Sequence, residues 1–309
     1  MNLMKGLGGE RADEVLPGVL DWLRRRGRDD HWFLHVHLWD PHTPYTTPES
    51  YGNPFADDPP PAWHTEEVRV RNWERPGPHS AQEPWGFLPD EWGPPPPRQP
   101  EQAASMDDVK AIFDGYDVGI RYADDAVGTV MNKLDELGVL DETAILLSSD
   151  HGEAFGELGV YADHQAADEA TCHIPAILRW PGIDARTYSG LHYQLDLAAT
   201  VVDLADITLP VGWWNGESVK DALLAGDDAG RDHLVLSQGH RRGVQAQGSG
   251  PGLGGDTGPA QGHARGPAPA GIQPLAPGRR PGEEDAGPQA KGQASKPSHA
   301  ESTHRGRIP

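Results

Sequence analysis

The chain has 309 residues, with 47 Asp and Glu against 26 Lys and Arg, and a formal net charge of -21. This charge opposes binding to nucleic-acid phosphates, and no apolar run approaches the roughly 20 residues that a membrane span needs. The single cysteine, Cys172, excludes an internal disulfide, and the N-terminus lacks the apolar stretch of a signal peptide. We therefore expect a cytoplasmic protein with neither a nucleic-acid nor a membrane partner.

Charge and composition change sharply after residue 239. Residues 1–239 carry 17 basic and 42 acidic side chains, a net charge of -25, whereas residues 240–309 carry 9 and 5, or +4. The second segment has 15 Gly and 10 Pro but no Phe, Trp or Tyr, so it cannot form a hydrophobic core. We predict a folded body over 1–239 and a disordered tail over 240–309. The tail reads either as a shifted frame of GC-rich DNA or as a genuine flexible linker.

The first part of the body contains two short elements and a long loop. Residues 10–26 have acidic side chains early and arginines late, which predicts a helix. Residues 32–38 (WFLHVHL) predict a buried strand, with His35 as a core residue and the role of His37 open. Residues 52–105 contain 13 Pro and four Trp. Proline blocks regular elements but tryptophans are rarely left in water, so we expect an ordered loop of the kind that covers a site.

The second part of the body alternates helices and strands. Apolar residues recur at steps of 1, 3 or 4 from Val109 to Leu137, which predicts an amphipathic helix closed by Gly138. A further helix is predicted at 196–207, with Asp196 as its N-cap. Apolar runs predict strands at 143–148, 174–180 and 233–237. This order predicts an α/β fold with a largely parallel sheet flanked by helices, in which chemistry gathers at the carboxyl ends of the strands.

Two polar clusters follow predicted strands. Asp150 and His151 end the 143–148 strand, and a carboxylate beside an imidazole can ligate a divalent cation; a turn with a capping Asp is the alternative. His42 lies between two prolines after the 32–38 strand. A fixed imidazole there can bind an oxyanion or protonate a leaving group, and an incidental surface histidine is the alternative.

Several separate motifs resemble the sulfatase family of the alkaline-phosphatase-like superfamily. They are WDPHTPY, YDVGIRYADDAVG, AILLSSDHGEAFGELGVYADH, IPAILRWPG and DLAATVVDLADITLP, and the resemblance covers roughly residues 9–239. It implies an α/β sandwich-like fold with helices on both sides of the sheet. It also implies metal-assisted hydrolysis of small-molecule sulfate esters, usually with Ca²⁺, through a formylglycine made from Cys or Ser. Related members cleave phosphate or phosphonate esters, often with Mn²⁺ or Zn²⁺.

The resemblance also implies roles for four residues of this sequence. Asp150 and His151 match the family's second pair of metal ligands. His42 matches the histidine that lines the sulfate pocket. His164 stands where many members have a lysine that touches the sulfate, so it would have to take that catalytic role.

The family's nucleophile motif, C/S-x-P-x-R, occurs nowhere in the 309 residues. Cys172 stands in CHIPA, with proline one position too late, and is interpreted as a small buried hydrophobe. Asp29 and Asp30 lie before the first predicted strand rather than at its carboxyl end, so they do not replace the family's two metal-binding aspartates.

We accordingly expect an incomplete alkaline-phosphatase-like fold, the C-terminal part of a sulfatase catalytic domain. The chain is then a truncated fragment with no measurable activity alone, and the missing N-terminal half is a candidate partner. Two alternatives remain: a phosphate or phosphonate ester hydrolase of the same superfamily, and a non-catalytic module that keeps the fold.

Overall fold

The computed structural model describes residues 9–85, 96–208, 210, 212, 215–238 and 241–246, all within one unit of the chain, Met1–Ala264. The helices are α1 (Ala12–Arg26), α2 (Glu66–Trp73), α3 (Met106–Glu136), α4 (Glu169–Cys172), α5 (Gln194–Leu204) and α6 (Lys220–Ala225). The strands are β1 (Ile145–Ser148), β2 (Ala154–Phe155), β3 (Tyr161–Asp163), β4 (Ala176–Arg179), β5 (His233–Gln238) and β6 (Arg241–Ala246). No described helix has the length and apolar character that crossing a membrane requires.

The helices predicted from charge placement at 10–26 and from apolar periodicity at 109–137 are confirmed as α1 and α3, and they pack against each other. The Ser105 hydroxyl accepts a hydrogen bond from the Asp108 amide at the start of α3, and Gly138 follows its end with a φ of 72°. Val19 and Leu23 of α1 are buried together with Leu134 of α3. These apolar stripes form one of the two hydrophobic clusters of the described chain.

The second cluster lies around the N-terminal half of α3 and is rich in aromatic rings. Tyr45, Phe113, Phe155 and Tyr161 are buried there. Two tryptophans of the predicted 52–105 loop, Trp63 and Trp73, pack against this cluster, and the Trp85 indole donates to the Pro100 carbonyl at 3.0 Å. The loop is therefore anchored by its tryptophans, although α2 forms within it; Trp92 lies outside the described residues.

The described strands pair only antiparallel, as β1–β4, β2–β3 and β5–β6. The prediction of a largely parallel sheet is corrected for these residues. Residues 149–175 turn back as the β2–β3 pair and α4 instead of forming a crossover helix, so β4 returns beside β1 in the opposite direction.

The predicted buried strand at 32–38 is extended but joins no described ladder. Trp32, Leu34 and Val36 pack on the α1–α3 cluster, whereas Phe33 is 84% exposed. His35 and His37 are exposed on the same side as Phe33, so the interpretation of His35 as a core residue is wrong. Alternate side chains of an extended segment face opposite ways, and the helices cover only one face.

The predicted boundary at residue 239 falls between two paired strands. β5 pairs with β6, with Gln238 opposite Arg241, so six residues of the predicted tail have strand backbone. The remainder of the predicted disordered tail, residue 240 and residues 247–309, lies outside the described residues.

Candidate functional site

Three histidines from three separate loops meet at one place. The ring centroids of His42 and His151 are 5.5 Å apart, and those of His42 and His164 are also 5.5 Å apart. The rings of His151 and His164 stack at 3.8 Å with an interplanar angle of 21°. One nitrogen of each ring lies within 4.8 Å of the other two, and each side chain is partly buried. We call His42, His151 and His164 the histidine cluster.

His42 is held by a turn that is tied to both long helices. The Asp40 carboxylate is buried and accepts hydrogen bonds from the Ala12 amide at 2.8 Å and the Thr47 hydroxyl at 3.3 Å. Pro41 packs so closely on Gly119 of α3 that a Cβ there would lie 2.9 Å from the proline Cβ. These contacts fix the backbone on which His42 stands.

His151 follows β1 directly, as the sequence predicted. The next residue, Gly152, donates its amide to the Thr171 carbonyl at 2.8 Å. A Cβ at position 152 would lie 2.1 Å from the Ala170 carbonyl oxygen, so only glycine allows this approach. The loop that carries His151 is thereby held against α4.

His164 follows β3 and lies beside a buried carboxylate. Its Nδ1 is buried without a hydrogen-bond partner and is 3.7 Å from Oδ1 of Asp163. The other Asp163 oxygen, Oδ2, is 3.9 Å from Nε2 of His79. Burial lowers the pKa of His164, and it also lowers the pKa of His42, with the nearby His151 adding to both effects.

Asp150 lies next to the histidine cluster but at the surface. Its side chain is 68% exposed, and its Oδ2 is 3.8 Å from Nε2 of His151. Oδ1 accepts a hydrogen bond from the His151 amide at 3.1 Å. All four residues singled out from the sequence, Asp150, His151, His42 and His164, therefore lie in the same small region.

Sequence reasoning missed a buried acid close to this region. Glu153 is two residues after His151, is 4% exposed and accepts a hydrogen bond from the Tyr45 hydroxyl at 3.1 Å. Burial raises the pKa of Glu153 to about 8, so its carboxyl is mostly protonated at neutral pH. The sequence offered one signal for Glu153, its position in the DHGE motif. That motif contains two acids, and only the structure shows that Glu153 is the buried one and Asp150 the exposed one.

Within the described part of the chain, no hydrogen bond or ion pair joins the other candidates considered from the sequence to this cluster. Cys172 is a free, partly buried thiol in α4, 3.7 Å from the Thr171 hydroxyl, and burial raises its pKa. A thiol with a raised pKa is a poor nucleophile. Asp29 is exposed and pairs with Arg26 at 3.1 Å, and Asp30 is exposed beside it.

The chain is similar to proteins of one family. A family model described as Sulfatase matches residues 3–207, about two thirds of the chain. Over 128 residues the chain is 34% identical to the extracellular sulfatase SULF-1 homolog of Drosophila melanogaster, covering 40% of this chain and 11% of that protein.

Two solved structures share the fold. One is a protein in complex with its substrate D-glucosamine-2-N,6-O-disulfate, with a TM-score of 0.59 at 18% identity, covering 77% of this chain and 59% of that one. The other is the phosphonate monoester hydrolase of Silicibacter pomeroyi, with a TM-score of 0.54 at 21% identity, covering 73% and 45%. These similarities confirm the predicted α/β, alkaline-phosphatase-like fold. The chain spans between 11% and 59% of the length of these three proteins.

Proposed function

The chain belongs to the sulfatase family, and on that premise we propose that it supplies the histidine-lined part of a site that hydrolyses small-molecule sulfate esters. The observation that carries this proposal is the convergence of His42, His151 and His164 from three loops, with His42 more than a hundred residues before the other two in the sequence. The resemblance of the sequence motifs to the family implies that these positions surround the sulfate group and its metal.

His42 and His164 are suited to bind the ester and to protonate the leaving group. In the absence of an anion, burial favours their neutral forms. An anionic sulfate ester would favour the imidazolium forms, because an opposite charge within about 4–6 Å raises the pKa of a histidine. Each ring could then donate a proton in a hydrogen bond to a sulfate oxygen or transfer it to the leaving oxygen.

The family uses a divalent metal, and Asp150 and His151 are the residues of this chain proposed to hold it. A bound divalent cation would draw negative charge from the sulfate group during the reaction. Calcium takes six to eight oxygen ligands, whereas this pair offers one carboxylate and one imidazole. The calcium expectation therefore requires further oxygen ligands in addition to these two residues.

The nucleophile is proposed to come from polypeptide outside these 309 residues. No C/S-x-P-x-R motif is present in the sequence, and the one thiol has a raised pKa. Exposed apolar side chains are available to such a partner, since Phe33 is 84%, Ile177 57% and Leu146 41% exposed, the last two on opposite faces of the β1–β4 pair. Segment 32–38 also joins no described ladder. Apolar side chains on extended backbone favour pairing with another strand.

The test combines the 309-residue chain with the polypeptide encoded directly upstream of it. We expect turnover of 4-nitrophenyl sulfate by the mixture, none by the chain alone, and loss of turnover with His42→Gln. The matched control is His35→Gln, an exposed imidazole outside the histidine cluster. A mixture that hydrolyses only phosphonate or phosphate esters would support the alternative hydrolase instead. A mixture with no hydrolytic activity would support the non-catalytic module.

A further inference from the structure

We propose that His42, His151 and His164 together form a transition-metal site of the zinc type, with all three imidazoles as ligands. This inference rests on the proposed function for the role of the site, but it assigns a different ligand set. His42 and His164 are metal ligands in this assignment, and with a metal on Nε2 they have no proton to donate to the sulfate, so the two rings hold the ion instead of the ester.

The hydrogen bonds of two rings leave the required nitrogen free to bind a metal. Nδ1 of His151 is 2.9 Å from the Gly152 carbonyl oxygen, and Nδ1 of His42 contacts the Thr43 carbonyl oxygen. A carbonyl oxygen only accepts hydrogen bonds, so Nδ1 must carry the proton in both neutral rings. Nε2 of each ring then has an unprotonated lone pair, the form that binds a metal ion.

The third ring, that of His164, has a carboxylate next to its Nδ1, the position at which metal-binding histidines often have one. Nδ1 of His164 faces Oδ1 of Asp163 at 3.7 Å, and the Asp163 side chain is only 6% exposed. Closing that gap by less than 1 Å would make a hydrogen bond from Nδ1–H to the carboxylate and would leave Nε2 free. A metal-bound histidine commonly donates its other ring N–H to a carboxylate or carbonyl group, which orients the ring and raises its basicity.

The three rings are near enough for one tetrahedral ion to reach all of them once the stacked rings of His151 and His164 turn apart. Zinc–nitrogen bonds are 2.0–2.1 Å long, so a tetrahedral ion holds its ligand nitrogens about 3.3 Å apart. One nitrogen of each ring lies within 4.8 Å of a nitrogen of the other two, and rotations about side-chain bonds would have to bring the three Nε2 atoms to the shorter distance. Three histidines would leave a fourth position open, with Oδ2 of Asp150 nearby at 3.8 Å from Nε2 of His151.

The donor set favours a transition metal over calcium. Imidazole nitrogen suits Zn²⁺, Cu²⁺ and Ni²⁺, whereas calcium binds oxygen. The three rings supply only nitrogen to the centre of the histidine cluster.

The test measures metal binding by the full 309-residue chain after its metal has been removed. Zn²⁺ is titrated against a chromogenic chelator, and Co²⁺ is followed by its visible absorption spectrum. We expect one tight Zn²⁺ site, an intense Co²⁺ spectrum typical of tetrahedral coordination, and no displacement of Zn²⁺ by millimolar Ca²⁺. His42→Gln, His151→Gln and His164→Gln should each weaken Zn²⁺ binding at least tenfold, whereas His35→Gln should leave it unchanged.

Three results would overturn the inference: equal weakening by His35→Gln, displacement of Zn²⁺ by Ca²⁺, or binding of sulfate but not Zn²⁺ by the wild-type chain. Far-UV circular dichroism checks the fold of each variant. If a glutamine variant does not fold, the Co²⁺ spectrum of the wild-type chain decides, because an octahedral spectrum contradicts a tri-histidine tetrahedral site. Tight Zn²⁺ binding without turnover in the mixing assay would refute only the proposed function. Turnover with Ca²⁺ and no Zn²⁺ site would refute only this inference.

Discussion

Replacing Arg231 with methionine should strongly destabilise the part of the fold that contains α5. Asp196 in the first turn of α5 is 1% exposed and accepts four hydrogen bonds. Two come from the Arg231 guanidinium at 2.8 and 2.9 Å, and two come from the Tyr193 and Glu217 amides at 2.8 and 2.7 Å. Burial by itself favours protonation of Asp196, but the bonds from Arg231 and from the two amides together outweigh it and hold the pKa of Asp196 below its ordinary value.

The magnitude follows from the two charge-assisted hydrogen bonds that the substitution removes. Each contributes about 1.5–3 kcal/mol, and an unpaired buried charge typically costs about 3–5 kcal/mol. For a domain of this size, 1 kcal/mol corresponds to about 2–4 °C in Tm. We expect Arg231→Met to lower the free energy of unfolding by about 3–5 kcal/mol and Tm by roughly 10 °C.

The assay is thermal and urea unfolding of the 309-residue chain, with Arg24→Met as the matched control. Arg24 pairs with Asp21 at 3.0 Å, but both side chains are well exposed, so its loss should cost less than about 1 kcal/mol. Adding Asp196→Asn to Arg231→Met should recover part of the loss, because it removes the unpaired charge and keeps a carbonyl acceptor. The reasoning is refuted if Arg231→Met costs no more than Arg24→Met, or if Asp196→Asn deepens the loss.

Two further predictions concern pH and backbone packing. Burial lowers the pKa of His64 from 6.5 to about 4, so the unfolded chain binds the additional proton first as the pH falls. His64 should therefore cost the fold up to about 3 kcal/mol between pH 6.5 and 4, and His64→Gln, but not His35→Gln, should reduce this slope in urea unfolding. Gly152→Ala should lower Tm and weaken Zn²⁺ binding, because its Cβ would lie 2.1 Å from a carbonyl oxygen. Gly128→Ala, in open space within α3, should instead stabilise the chain by about 0.5–1 kcal/mol. Equal effects of the two alanines on Tm would contradict the packing argument.

Elements whose signal is local were predictable from the sequence. The α3 stripe repeats over eight turns and ends at a glycine, and both features act within a few residues of each other. His151 was also predictable, because β1 is short, apolar and followed at once by polar residues. The helix α5 was also predictable from its local sequence. Asp196, however, is not its N-cap residue: it lies in the first turn and accepts a hydrogen bond from the Tyr193 amide.

Features that depend on distant parts of the chain were not predictable. The antiparallel return of β4 depends on how residues 149–175 fold back, and apolar content does not encode that path. The exposure of Phe33 and His35 depends on which faces the helices leave uncovered. Likewise, the pairing of Asp196 with Arg231 joins residues 35 positions apart, and no local pattern indicates it.

The contacts that hold the histidine cluster together all lie within the described residues. Metal binding by this cluster and turnover by a complete site can therefore be tested separately. The His42 turn is held by Asp40 on the amide of Ala12, and the His151 loop by the Gly152 amide on α4. His164 follows β3, which pairs with β2. None of these contacts involves the exposed faces of segment 32–38 or of β1 and β4. We therefore expect the chain to bind a metal ion at full affinity before any partner is added, whereas under the proposed function hydrolysis requires a nucleophile from the partner. A Zn²⁺ affinity that rises more than tenfold on mixing would show instead that the partner supplies ligands to the site.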